Sequence, residues 1–210
     1  FSEDWRAKEG EVPRYLLLSL FDHAAVGALK LNDELKAWKD RLLQEPAAPD
    51  DLPAHLRPYQ AKGVAWLARL CELGAHPLLA DEMGLGKTVQ VLALLASRPV
   101  DAPTIIVCPA SVIPVWIGEI KRFHPELSAG VSVLTADDDF VRNPDARLWI
   151  SSYTQLRRHA DQLAKTKFGY AVLDEAQAIK NPESKTTQTC VALQAAHRIA
   201  ITGTPLENRP

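Results

Sequence analysis

Cysteine is scarce in this chain. Cys71, Cys108 and Cys190 lie far apart and form no CxxC pair, so the sequence carries no disulfide framework. The three thiols are expected as small buried hydrophobes in a reducing cytoplasm. Long apolar runs are missing too. A membrane span needs roughly 18 consecutive apolar residues, and "YLLLSLF" at Tyr15–Phe21 falls well short. The first residues lack a signal-peptide layout, and the chain opens on Phe1 rather than methionine, as an excised piece of something longer would. Nor is there an excess of one charge. A net charge of −2 argues against a chain that grips nucleic acid unaided, but leaves room for a lobe that supplies half of a groove. No internal repeat is found. The acidic cluster "ADDDF" at Ala136–Phe140 has no His or Glu at ligand spacing and reads as a solvated loop.

What is present is the composition of a globular protein, with 47% hydrophobic and 24% charged residues over 210 positions. Length alone fits one large α/β domain or a domain with an appendage. The pattern favours the second. Leu31, Leu35, Trp38 and Leu42 recur at spacings of four, three and four, one apolar face of a helix starting near Asn32 or Asp33. "EPAAPDDLPA" at Glu45–Ala54 has the proline and acid content of a linker. Residues 1–54 are therefore expected as a helical appendage and linker, and residues 55–210 as the main domain.

From Leu56 onward, strand-like and helix-like stretches alternate. Pro58 suits the first turn of a helix carrying Tyr59, Trp66, Leu67 and Leu70. Strands are predicted near Pro77–Ala80, Thr104–Cys108, Val131–Leu134, Leu148–Ser151, Tyr170–Leu173 and Arg198–Thr202. Helices at Lys87–Ala96, Ser111–Phe123, Thr154–Lys165 and Ser184–Ala195 fill most of the gaps. Continuous apolar strands separated by helices predict an α/β fold of three layers, a mostly parallel sheet covered on both faces.

The first predicted strand runs into "DEMGLGKTVQ" (Asp81–Gln90), and the apolar pattern then returns with helical period. Gly84 and Gly86 let the backbone bend so that successive N–H groups point inward. Lys87 adds a compact positive charge for β- and γ-phosphates, and the Thr88 hydroxyl can ligate Mg²⁺. The helix that follows turns its positive end toward an anion. The strict pattern GxxxxGK[ST] is not met, because its first position is Asp81, and an ordinary glycine-rich turn stays open on this stretch alone. "YAVLDEAQ" (Tyr170–Gln177) is an apolar strand ending in two carboxylates. Asp174 at the tip can hold Mg²⁺, and Glu175 can polarise the water that attacks a γ-phosphate; alone, the pair could equally serve a helix dipole. Together the two stretches point to a nucleoside triphosphate, since ligands of open parallel sheets sit at the carboxyl ends of the strands.

These stretches belong to an ordered series that resembles the Swi/Snf-type ATPases of helicase superfamily two, which move along double-stranded DNA. "LRPYQ" (Leu56–Gln60) looks like the family's adenine-reading motif, with "GVAWL" behind it. "DEMGLGKTVQ" matches its first motif, including the Asp that spoiled the generic pattern. "IIVCPASVIPVWIGEI" (Ile105–Ile120), "ISSYTQL" (Ile150–Leu156), "DEAQAIKN" (Asp174–Asn181) and "ITGTPLEN" (Ile201–Asn208) complete the series. The resemblance covers Leu56 to Asn208 and implies a RecA-like P-loop lobe that uses ATP and Mg²⁺. Residues 1–55 carry no placeable motif.

Residue by residue, the resemblance implies ATP binding by Tyr59, Gln60 and the loop Asp81, Glu82, Met83, Gly84, Leu85, Gly86, Lys87 and Thr88. The Gln60 amide can both donate and accept, as an adenine edge requires. Thr88 and Asp174 would hold the metal, and Lys87, Asp174 and Glu175 would carry the chemistry. Thr202, Gly203 and Thr204, with Gln177, would couple nucleotide state to nucleic-acid contact. Gln177 stands where the family more often has His; an amide can still bond across to "TGTP" but cannot be protonated. Pro109, Ala110 and Ser111 would bind a DNA phosphate at a helix start, with Ser152 and Tyr153 in similar work. Arg157 and Arg158 could add charge there or lie on a solvated face. Trp116, Ile120 and Phe123, at helical spacing, are expected as core.

The resemblance also implies an active site between two RecA-like lobes, with the second lobe supplying arginines that this chain does not carry. Losing such arginines costs on the order of 10³-fold or more in rate, so this piece alone should bind ATP weakly and hydrolyse it slowly. Implied partners are duplex DNA, gripped by its backbone, the second lobe, and a protein partner for residues 1–54. No membrane is involved. Two other readings stay open: an RNA helicase of the DEAD-box kind, and a nucleotide-gated scaffold with little hydrolysis. The alanine-rich composition leans toward a bacterial source, hence a cytoplasmic, nucleoid-associated protein.

Overall fold

The computed structural model describes residues 33–44, 46, 52–135 and 142–203. Leu31, the "YLLLSLF" run, the "ADDDF" cluster, most of the expected linker and Thr204 lie outside them.

Six strands form one sheet: β1 (Leu78–Leu79), β2 (Thr104–Cys108), β3 (Val131–Val133), β4 (Leu148–Ser152), β5 (Lys167–Leu173) and β6 (Gln194–Ile201). Their spatial order is β1-β6-β5-β2-β4-β3, and every pairing among the described residues is parallel. Alternation along the strands divides the core in two. Ile106, Cys108, Leu148, Ile150, Tyr170 and Val172 face one cluster, while Ile105, Val107, Trp149, Phe168 and Ala171 face the other. Successive side chains of a strand point to opposite faces, so an unbroken apolar strand demands cover on both.

One face is covered by α2 (Pro58–Glu72), α3 (Lys87–Ser97) and α4 (Ile113–Phe123). The other carries α6 (Tyr153–Arg158), α7 (Ala160–Leu163) and α8 (Lys185–Ala192), with α5 (Pro125–Ser128) a short turn after α4. Pro58 sits in the first turn of α2, and the Arg57 N–H there donates to Gln60 Oε1 at 2.9 Å. Tyr59 and Trp66 stay about two-fifths exposed; the packed face of α2 is Val64, Leu67, Ala68 and Cys71. The three cysteines are free and buried, and burial pushes the thiols of Cys71 and Cys108 up to about 12 and that of Cys190 to about 11. No helix among the described residues is long and apolar enough to cross a membrane.

The amphipathic helix predicted from Leu31 is α1 (Asp33–Leu43). Its Trp38 is buried, and the indole N–H donates to the carbonyl of Leu73, the residue that caps α2, at 2.9 Å.

Three predicted helices differ from the observed ones. The helix expected over Thr154–Lys165 is broken at His159, whose backbone leaves helical geometry (φ −102°, ψ 21°) while its Nδ1 meets the Gln155 carbonyl at 2.9 Å. The helix expected to Ala195 stops at Ala192, where Leu193 turns extended (φ −57°, ψ 133°). There the Arg198 guanidinium donates to the carbonyls of Cys190, Val191 and Leu193, satisfying acceptors that a helix end leaves open. Strand β6 accordingly begins at Gln194, four residues before the expected start at Arg198. The helix expected from Ser111 begins as a 3₁₀ turn, Ala110–Val112, and becomes α-helical only at Ile113.

Candidate functional site

Strands β1, β6 and β5 are neighbours, with Leu79 beside Ile201 and Ala200 beside Leu173. Their carboxyl ends therefore deliver the glycine-rich loop, Thr202 with Gly203, and the acidic pair side by side. Asp81–Gly86 follow β1, Thr202 and Gly203 follow β6, and Asp174 and Glu175 follow β5. A Cβ on Gly203 would lie 2.8 Å from Met83 and 3.9 Å from Lys87 Nζ, so Gly203 lies directly on the loop.

The loop depends on its glycines. Gly84 and Gly86 have φ of +85° and +74°, a region that costs other residues roughly 1–2 kcal/mol. A Cβ on Gly86 would also fall 2.4 Å from Gln60 Nε2. Gly86 is the N-cap of α3, whose first turn holds no acidic residue, so its unpaired N–H groups face outward uncompensated. The Lys87 ammonium donates to the carbonyls of Asp81 and Glu82, at 2.6 and 2.8 Å. The first and last letters of the motif also meet, since Gln90 Nε2 donates to Asp81 Oδ2 at 3.4 Å. That bond is made possible by Gly63 of α2, where a Cβ would overlap the Gln90 amide.

Tyr59 and Gln60 are placed against the loop. The Tyr59 hydroxyl and Gln60 Nε2 both donate to the Leu85 carbonyl, at 3.2 and 3.1 Å. With Oε1 taken by Arg57, the buried Gln60 amide braces α2 against the loop in addition to any base it would read.

The acidic pair is built differently in its two halves. Asp174 is buried; Oδ2 accepts from the Trp116 indole at 2.9 Å and Oδ1 from the Glu175 N–H at 2.9 Å. Burial pushes the Asp174 carboxyl above its usual range, against the pull of those two donors and of the Lys87 charge. The Tyr153 hydroxyl donates to the Asp174 main-chain carbonyl at 2.7 Å. Glu175 has a left-handed backbone (φ 51°), uncommon for a residue with a side chain, and lies at the start of the 3₁₀ turn Ala176–Ile179. Its Oε2 accepts from Gln177 Nε2 at 2.6 Å, and Gln177 Oε1 accepts from the Thr202 hydroxyl at 3.0 Å. Gln177 thus links Glu175 to Thr202 through both ends of one amide.

The segments expected at DNA lie together in the other half of the sheet, where Cys108 and Ser152 are register partners. Ala110 and Ser111 are exposed, beside half-buried Pro109. Ser152 is buried, and its hydroxyl accepts from the Gln155 N–H at 3.2 Å, capping α6. Tyr153 turns its hydroxyl to Asp174, so neither hydroxyl is presented to a phosphate. Arg157 and Arg158 are exposed. Trp116 and Ile120 are core residues, as expected, but the role of Trp116 at Asp174 escaped sequence reasoning. A buried indole needs an acceptor, and that need was the available signal. A separate cavity of about 250 Å³ opens at the other end of the strands, lined by Thr104, Leu148 and Tyr170 among others.

The sequence profile of the SNF2-related domain matches residues 59–210. The chain belongs to that family. This SNF2-related domain is 38% identical to the chromatin-remodeling ATPase INO80 of Kluyveromyces lactis, over 76% of the chain and 12% of that protein. It is 36% identical to the ISWI chromatin-remodeling complex ATPase CHR17 of Arabidopsis thaliana, over 80% of the chain and 16% of the relative. Among solved structures it resembles the Sulfolobus solfataricus SWI2/SNF2 ATPase core in complex with double-stranded DNA, with a TM-score of 0.70 and 36% identity. That likeness covers 79% of this chain and 35% of the other. The domain thus has the RecA-like fold of an SNF2 ATPase core, and it spans less than a fifth of the length of the two curated relatives named.

Proposed function

We propose that this domain is the ATP-binding lobe of an ATP-driven translocase on double-stranded DNA. One observation carries the reading: three adjacent strand ends bring the loop with Lys87 and Thr88, Thr202, and Asp174 with Glu175 to one end of the sheet, and Gln177 joins Glu175 to Thr202. The site suits a triphosphate with Mg²⁺. It offers uncompensated N–H groups at α3, an ammonium resting on neutral carbonyls, and a buried carboxylate whose donors are neutral. Bound Mg²⁺, held by Thr88 and Asp174, would neutralise charge on the phosphoryl oxygens.

The chain's own residues do the rest. The loop amides and Lys87 orient the phosphates, with Tyr59 and Gln60 beside the base. Glu175 positions and polarises the attacking water, and its strained backbone keeps the carboxylate beside Gln177. When Glu175 shifts, Gln177 passes the change to Thr202 and, through the "TGTP" turn, to the nucleic-acid face. Ala110 and Ser111, beside half-buried Pro109, would offer backbone N–H groups to a phosphate, with Ser152 and Tyr153 on the neighbouring strand end. A second RecA-like lobe would close over the site and supply arginines, without which this piece turns ATP over slowly. The DNA grip would be largely sequence-independent and weaken steeply with salt. Residues 1–54 would recruit a protein partner. The alanine-rich composition leans toward a bacterial, cytoplasmic and nucleoid-associated protein, a reading that the eukaryotic and archaeal relatives named above do not support.

The test is hydrolysis by the full-length protein with Glu175→Gln. General-base loss should lower DNA-stimulated turnover about 10²–10⁴-fold while ATP still binds. Unchanged turnover would remove Glu175 from the chemistry. Stimulation by RNA rather than duplex DNA would favour the DEAD-box alternative, and tight ATP binding with background turnover on DNA would favour the scaffold.

A further inference from the structure

Asp174 is held by two aromatic side chains, one from each face of the sheet. The Trp116 indole reaches Oδ2 from α4, 58 residues away in sequence, and the Tyr153 hydroxyl reaches the Asp174 carbonyl from the start of α6. Trp116 is fully buried and Asp174 nearly so, so water has no access to replace the indole donor. With Oδ1 on the Glu175 N–H, both carboxylate oxygens are pinned and the plane of the group is set. Packing alone would be served by Phe; an indole adds one rigid donor and no acceptor, suited to a charged carboxylate.

We propose that Trp116 is a positioning residue for the metal-holding carboxylate of Asp174, and that Tyr153 fixes the main chain of the same residue. This rests on the reading of the site as one for Mg²⁺ and ATP. Neither aromatic side chain needs to touch nucleotide or metal; each acts through Asp174. Tyr153 directly follows β4, and Trp116 lies on the helix that follows β2.

The experiment is titration calorimetry of ATP into the full-length protein, once with Mg²⁺ and once with EDTA, for the natural protein, Trp116→Phe and Tyr153→Phe. The readout is the gain in ATP affinity that Mg²⁺ provides. Both variants are expected to keep the affinity seen in EDTA and to lose about 10-fold of the Mg²⁺-dependent gain, the lower end of what outer partners of metal ligands contribute. A purely structural role would lower both affinities together, or neither, and either result overturns the proposal. If Trp116→Phe fails to fold, Tyr153→Phe, which removes a single hydroxyl, decides alone: an undiminished Mg²⁺ gain overturns the proposal. A natural protein whose ATP affinity ignores Mg²⁺ would instead sink the underlying reading of the site.

Discussion

Gly86 illustrates how much one residue carries. Its positive φ and the 2.4 Å approach of Gln60 Nε2 leave no room for a methyl group. Gly86→Ala should cost about 1–2 kcal/mol from the backbone alone and should push Gln60 off the Leu85 carbonyl. Denaturant unfolding with parallel ATP titration checks this: reduced stability together with weaker binding is expected, and a neutral substitution would contradict the role given to the loop. At this scale the sequence was legible where a residue's chemistry is local. Gly84 and Gly86 take the positive φ that the bend needs, and Lys87 reaches back to the loop carbonyls of Asp81 and Glu82. What stayed hidden were partners distant in sequence. Trp116 meets Asp174 from 58 positions away, and Tyr59 and Gln60 meet Leu85 from about 25 positions away, distances no periodicity encodes.

Among the described residues of α1, Trp38 alone is buried. Eleven residues with modest apolar content form a marginal helix in isolation, since nucleation is costly and isolated helices below roughly 12–15 residues rarely hold. Trp38 supplies what is missing, burying its ring and closing the α2 end through Leu73. Trp38→Ala should therefore release α1 while the sheet stays folded. Hydrogen exchange should show residues 33–43 losing protection and β2 and β5 keeping theirs. Retained protection in α1 would mean that other contacts hold it. The strands were the most legible elements, because a doubly buried parallel strand leaves an unbroken apolar run, and β2 matches its predicted range residue for residue. Helix ends were less so. The break at His159 and the stop at Ala192 go with a ring nitrogen and with a guanidinium from the next strand, and neither leaves a local pattern.

Across the whole molecule, the order β1-β6-β5 is what turns separate motifs into a site. Strand order is not written in any one stretch; it follows from which faces must be covered. Only the expectation that ligands gather at the carboxyl ends of parallel strands made the convergence foreseeable. The remaining half of the sheet, β2-β4-β3, carries the exposed Ala110–Ser111 segment at the same end of the strands. The most direct check of the central claim is calorimetric titration of Mg²⁺-ATP into the natural full-length protein and into Lys87→Ala. Saturable binding that weakens at least about 10-fold on loss of the ammonium, a deficit of roughly 1.4 kcal/mol, is the expected result. Equal affinity in both proteins, or none in the natural one, would contradict it.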